Sequence, residues 1–198
     1  MDLTLTEEQQ MIQAAARDFA QSQIAPVAAE LDASGEFPRE TIAQMGELGL
    51  MGIEVPEEYG GAGMDPLCYA LALMEVSAAD ASHGTIMSVN NTLYCHGILK
   101  YGTEEQKQKY VRPVASGEVI GAYALTEPQS GSDASNMRCR AVLSEDGRHY
   151  LIGGGKAGLT SGPVAADSVR VARSDPDRGP EGVSGCVIDT EREGFRRG

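Results

Sequence analysis

At Gly117 the chain changes texture, and that break limits the fold more than any single motif. Before it, apolar residues recur at helical spacing behind helix-start signals; after it, short β-leaning runs alternate with turns. Thr6-Glu-Glu-Gln9 is a capping box, in which the Thr6 hydroxyl takes an orphan amide while Gln9 reaches back. Ile12, Ala16 and Phe19 follow on one helical face, and Pro26, late in the pattern, predicts a kink or split. Arg39 to Leu48 reads as a second helix with Ile42, Met45 and Leu48 inward and Gly49 as its stop. Asp65-Pro66 joins an N-cap to a proline at the first helical position, where the missing N–H costs nothing; Leu67, Leu71 and Met74 are the expected buried stripe. A further apolar helix is expected over Gly84 to Leu99. Thr103-Glu-Glu-Gln106, a second capping box, opens one that ends near Gly117.

The β-leaning runs are Val119–Leu125, Met137–Leu143, His149–Ile152, Ser168–Ala172 and Val183–Ile188. Glu-Asp-Gly, Gly-Gly-Gly and Asp-Pro-Asp-Arg-Gly-Pro turns separate them, which predicts an antiparallel meander or small incomplete barrel rather than βα units. The expected fold class is α+β: an all-α domain over 1–117, then a small antiparallel β domain over 118–198. A β domain that stops at Glu193-Gly-Phe-Arg-Arg-Gly198 leaves an open edge, and open edges are normally covered or paired. More structure is therefore expected after it.

Composition narrows the partners. With 198 residues, 41% of them apolar, the chain can build a core for one large or two small domains. Residues up to Glu118 carry 18 acidic against 6 basic side chains, so nucleic acid is not an expected partner. From Val119 onward the balance is 11 to 10, and nine arginines with one lysine tolerate a phosphorylated ligand or simply line a solvated sheet face. No apolar run approaches membrane-spanning length, and Met1-Asp-Leu-Thr-Leu-Thr-Glu-Glu lacks both parts of a signal peptide. Cys68, Cys95, Cys139 and Cys186 are spaced by 27, 44 and 47 residues, which fits free thiols filling a core in a reducing, cytoplasmic compartment.

Several motifs fail. Gly153-Gly-Gly155-Lys-Ala-Gly158 matches G-x-G-x-x-G, but Leu-Thr-Ser-Gly-Pro163 follows where a helix must open. Tyr150 and Ala157 exclude a P-loop there. His83, His96 and His149 are dispersed without metal-type partners, no G-x-S-x-G occurs, and no residue stands out as a general base. The loop Tyr123-Ala-Leu-Thr-Glu-Pro-Gln-Ser-Gly-Ser-Asp133 is different. Thr126 and Ser132 bring hydroxyls and free amides, while Pro128 and Gly131 fix its shape and let backbone approach a ligand. The residues alone leave two options: a cradle for a polar cofactor, or a turn whose hydroxyls satisfy local backbone.

That loop resembles the acyl-CoA dehydrogenase family, as do Val89-Asn-Asn-Thr-Leu and Gly97-Ile-Leu-Lys-Tyr-Gly-Thr-Glu-Glu-Gln-Lys-Gln-Lys-Tyr110. The N-terminal Leu-Thr-Glu-Glu-Gln-Gln run, Glu54-Val-Pro-Glu-Glu-Tyr-Gly-Gly61, Asp175-Pro-Asp, Gly182-Val-Ser and Glu193-Gly-Phe195 agree, so the resemblance covers essentially the whole chain and is nearest the short-chain, butyryl-CoA branch. It implies a helical domain, a middle β domain and a C-terminal helical bundle, with FAD between the last two. It implies α,β-dehydrogenation of an acyl-CoA thioester, with hydride passing to flavin N5 and electrons to an electron-transfer flavoprotein. The same resemblance places the protein in the mitochondrial matrix if it is eukaryotic and processed.

Carried over by resemblance, Tyr123, Ala124, Leu125, Thr126, Gly131 and Ser132 form the flavin loop, with the Leu125 and Thr126 amides and the Thr126 hydroxyl at the isoalloxazine edge. Ser132 meets the FAD phosphates or the CoA side of the substrate, and Gly158, Leu159 and Thr160 make a second flavin contact. Ile86 to Leu93 either lines the acyl pocket or packs as helix core. Gly158 stands where the family has an aromatic ring, and Gly153 and Gly155 where it has Asn and Thr, so weakened flavin binding is expected. The C-terminal bundle, with the family's catalytic glutamate and main subunit interface, is expected to lie outside this chain. Two alternatives remain: a non-catalytic, partner-dependent module, and a flavin-dependent monooxygenase of the same superfamily.

Overall fold

The computed structural model describes residues 4–197; Met1, Asp2 and Leu3 of the segment read for a signal peptide, and Gly198, lie outside the described residues. The chain divides into two compact units between Val119 and Ile120.

The first unit is helical. The Thr6 capping box forms and opens α1 (Glu7–Phe19), which runs through a π-helical turn (Ala20–Ile24) into α2 (Ala25–Ser34). Pro26 follows this π-helical turn, in the first turn of α2, and the backbone stays right-handed helical across Ile24 and Ala25, so the helix changes its hydrogen-bond pitch just before the proline and does not split. α3 (Arg39–Glu47) buries Ile42 and Met45, but Leu48 is 50% exposed, contrary to expectation. Leu48 follows the last helical residue and precedes Gly49, whose φ of 74° turns the chain away from that face.

α4 (Pro66–Ala79) corrects the predicted stripe: Leu71 is buried, whereas Leu67 and Met74 are 46% and 65% exposed. The buried face is Cys68, Leu71, Ala72 and Val76. Apolar residues occupy most sides of this helix, so its period does not select a face. Polar pairs with α1 select it instead: Arg17 and Gln13 both reach Glu75, and Gln9 donates to Asp65 at 2.8 Å.

α5 (Ala81–Ser88), a π-helical stretch (Val89–Cys95) and α6 (His96–Tyr101) form one continuous rod. The Thr103 capping box opens α7 (Glu104–Gln106), which continues through Lys107–Val111 into α8 (Arg112–Ala115). Among the described residues no helix is long and apolar enough to cross a membrane.

The second unit carries five strands: β1 (Gly121–Ala124), β2 (Arg140–Leu143), β3 (Tyr150–Gly153), β4 (Asp167–Arg173) and β5 (Val183–Asp189). The sheet is mixed and open, which corrects the antiparallel meander. β2–β3 and β4–β5 are antiparallel, but β1 and β2 both run parallel to β4. The reason lies in the 125–139 loop. A meander needs consecutive strands to pair; here the chain leaves the sheet after Ala124 and returns at Arg140, which meets β4 only at Arg173. Cys139, Ala141 and Ala172 form a small core under this return, with Ile152 and Cys186 packed against it.

Candidate functional site

The loop that leaves β1 is built around a buried ion pair. Glu127 is 4% exposed, and both of its carboxylate oxygens are fully engaged. Oε2 accepts from the Arg138 amide at 2.6 Å and from Gln129 Nε2 at 2.7 Å; Oε1 accepts from the Cys139 amide at 2.9 Å and from Lys156 Nζ at 2.8 Å. Burial by itself pushes the Glu127 carboxyl up, but the Lys156 ammonium, the two amides and Gln129 outweigh it and bring it down to about 2. A carboxylate so saturated and so acidic is not a general base.

The Lys156 side chain is equally buried and donates a second bond, at 2.8 Å, to the Leu125 carbonyl. Next to it, the Ala157 amide donates to the Thr126 carbonyl at 2.9 Å. These bonds clamp the 153–160 segment onto the start of the loop, and so bring Leu125 and Thr126 to the segment that holds Gly158, Leu159 and Thr160. Glu127 and Ser130 exchange both backbone bonds around Pro128-Gln129, and the Ser130 hydroxyl donates to the Asp133 carbonyl.

The predicted residues fall into three groups. Tyr123 and Ala124 lie in β1, with Tyr123 half-buried and Ala124 buried; burial raises the Tyr123 phenol. Leu125 is half-buried and Thr126 exposed, and neither the Thr126 amide nor its hydroxyl has a hydrogen-bond partner among the described residues. Gly131 and Ser132 are exposed at the far side of the turn, and no described hydrogen bond ties them to residues 156–160. Gly158 is exposed with φ 65°, and a Cβ built there meets nothing within 4 Å. The site therefore has exposed, unpaired donors at Thr126 and open space at Gly158, an arrangement that fits the polar edge of a flat cofactor.

Ile86 and Met87 are buried. The same rod buries Asn90 and Asn91 as clamps on the loop after α3. Asn91 Oδ1 accepts from the Ile53 amide at 2.8 Å, and its Nδ2 donates to the Leu50 and Met87 carbonyls. Asn90 Nδ2 donates to the Met51 and Val114 carbonyls. The cysteines are core thiols: burial pushes Cys95 up to about 12 and raises Cys68 and Cys186. His83 is buried between Asp80 and Thr41, at 2.5 and 2.6 Å, and pins α5 to α3.

Sequence reasoning missed Glu127 and Lys156. Lys156 is the only lysine after Lys109, and it stands inside a glycine run read for other motifs. That singularity was the available signal; its pairing with a residue 29 positions away was not.

The model of the acyl-CoA dehydrogenase N-terminal domain matches residues 6–118, and that of the acyl-CoA dehydrogenase middle domain matches residues 122–198. The short-chain specific acyl-CoA dehydrogenase of Clostridium acetobutylicum is 43% identical over 198 residues, 100% of this chain and 52% of that protein. A chain solved as "Electron transferring flavoprotein of Acidaminococcus fermentans: Towards a mechanism of flavin-based electron bifurcation" superposes with a TM-score of 0.95 at 43% identity, over 100% of this chain and 52% of that one. An acyl-CoA dehydrogenase complexed with FAD from Bacillus anthracis superposes with a TM-score of 0.87 at 34% identity, over 96% of this chain and 32% of that one. The chain spans about half the length of the curated relatives it matches.

Proposed function

This chain belongs to the acyl-CoA dehydrogenase family, and we propose that it supplies the helical and middle β parts of an FAD-dependent enzyme that desaturates short-chain acyl-CoA thioesters. The observation that carries this reading is the pair of unpaired Thr126 donors, held beside Gly158–Thr160 by the Lys156 and Ala157 bonds.

Tyr123 to Thr126 and Gly158 to Thr160 hold the flavin ring edge, and Gly131 and Ser132 take its phosphates; Ser132 also faces the CoA side of the substrate. When bound, FAD supplies the two-electron acceptor for hydride leaving the acyl β-carbon. The Leu125 and Thr126 amides and the Thr126 hydroxyl stabilise negative charge at the ring edge, as donors do in an oxyanion hole. Gly158 leaves one wall of the site without an aromatic ring, which lowers cofactor affinity by removing about 0.5–1.5 kcal/mol of ring contact. None of the described carboxylates is assigned the role of base. Electron-transfer flavoprotein is the proposed acceptor. The four free cysteines support a reducing compartment such as the cytoplasm.

The test is a titration of the chain with FAD, followed by anaerobic addition of butyryl-CoA. Binding in the micromolar to millimolar range, seen as a perturbed flavin spectrum that Thr126→Ala weakens, supports the reading. No binding at millimolar FAD rules it out for this chain. Bleaching by butyryl-CoA assigns the substrate as well; oxygen-dependent product formation without bleaching favours a monooxygenase.

A further inference from the structure

We propose that the buried Glu127–Lys156 pair is a positioning element that both holds and polarises the peptide between Leu125 and Thr126. This deepens the reading above and rests on it, since that peptide is the one placed at the flavin edge.

The two ends of this single peptide unit face different partners. Its carbonyl, on Leu125, takes the Lys156 ammonium at 2.8 Å, while its N–H, on Thr126, has no partner among the described residues. A buried cation on the carbonyl enlarges the peptide dipole and strengthens the N–H at the other end as a donor. The next carbonyl, on Thr126, is taken by the Ala157 amide, so Thr126 is fixed from both sides.

Glu127 has two tasks. It neutralises Lys156, whose side chain is 1% exposed and would otherwise be an unpaired buried charge. It also accepts the amides of Arg138 and Cys139, where the loop rejoins the sheet. One ion pair therefore ties together the start of the loop, its end and the Lys156–Ala157 segment. Because the ammonium bonds the Leu125 carbonyl directly, the strengthened Thr126 N–H favours whichever flavin state carries more negative charge at that edge, which is the reduced one.

The test uses the whole chain, with FAD as the probe. Lys156→Met leaves Glu127 charged and buried, so it risks unfolding. Glu127→Gln with Lys156→Met removes both charges and is the deciding variant. Without FAD, the Ala157 amide in this double variant exchanges with deuterated water about tenfold faster than in the unmodified chain, while β4–β5 amides keep their protection. With FAD, the site's preference for reduced over oxidised flavin falls about tenfold, a potential lower by about 30 mV for a two-electron couple. A folded double variant with unchanged Ala157 exchange overturns the bracing role. An unchanged flavin potential overturns the polarising role. An unmodified chain that takes up no FAD defeats the functional reading instead, and the exchange result alone then decides for or against the pair.

Discussion

Glu127 shows how one side chain sets the behaviour of a loop. Its carboxyl, at about 2 in the folded chain against 4.5 when free, holds its proton less tightly once folded. The stabilisation is fully present above about pH 4.5 and is lost progressively as pH falls toward 2, because protonation then accompanies unfolding. Urea unfolding of the β unit between pH 6 and 2 is expected to show a steep loss of stability below pH 4.5 that Glu127→Gln combined with Lys156→Met flattens. An equally steep profile in the variant would assign the acid sensitivity to other carboxylates. Lys156 gives the complementary expectation: removing one member of a buried pair destabilises by about 3–5 kcal/mol, far more than a surface ion pair such as Arg178–Glu181. Neither residue attracts notice in the sequence, because a glutamate before proline and a lysine among glycines both read as solvated turn residues.

Elements were legible where local chemistry decides them. Both capping boxes, the Asp65 cap, the Gly49 stop and all five strand segments sit where the sequence places them to within a few residues. What failed was the choice of face. α4 is apolar on most of its circumference, so only the pairing of its Glu75 with Arg17 and Gln13 shows which side turns toward α1. The continuous rod from Ala81 to Tyr101 makes a sharper point. Its Asn90 and Asn91, part of the Val89-Asn-Asn-Thr-Leu run that resembles the family, hold the loop after α3 by buried bonds to backbone. Asn91→Ala strands the Ile53 amide and the Leu50 and Met87 carbonyls. Each unpaired buried group costs about 1–3 kcal/mol, so thermal unfolding of the helical unit is expected to move down by at least one such increment. Asn91→Asp, which keeps the Ile53 acceptor but adds charge, is expected to be no better. A variant as stable as the unmodified chain would mean that water replaces the clamp.

For the molecule as a whole, ligand linkage is the informative measurement. FAD at about 100 times its dissociation constant is expected to stabilise the folded chain by about 2.7 kcal/mol, seen as an unfolding midpoint that climbs with FAD concentration. A midpoint indifferent to FAD would leave the β unit without its proposed ligand. The sequence by itself determined the division into a helical part and a β part, the helix starts and stops, and the family. Each of these rests on residues close together in the chain, whose capping, turn and period signals are local. The tertiary structure decided the rest. It set the mixed direction of the sheet, because β1 and β2 are kept apart by a loop and both find β4. It selected the buried face of α4 through α1. It joined Glu127 to Lys156 across 29 residues, because only folding brings a buried cation to the one carboxylate and the one carbonyl that need it.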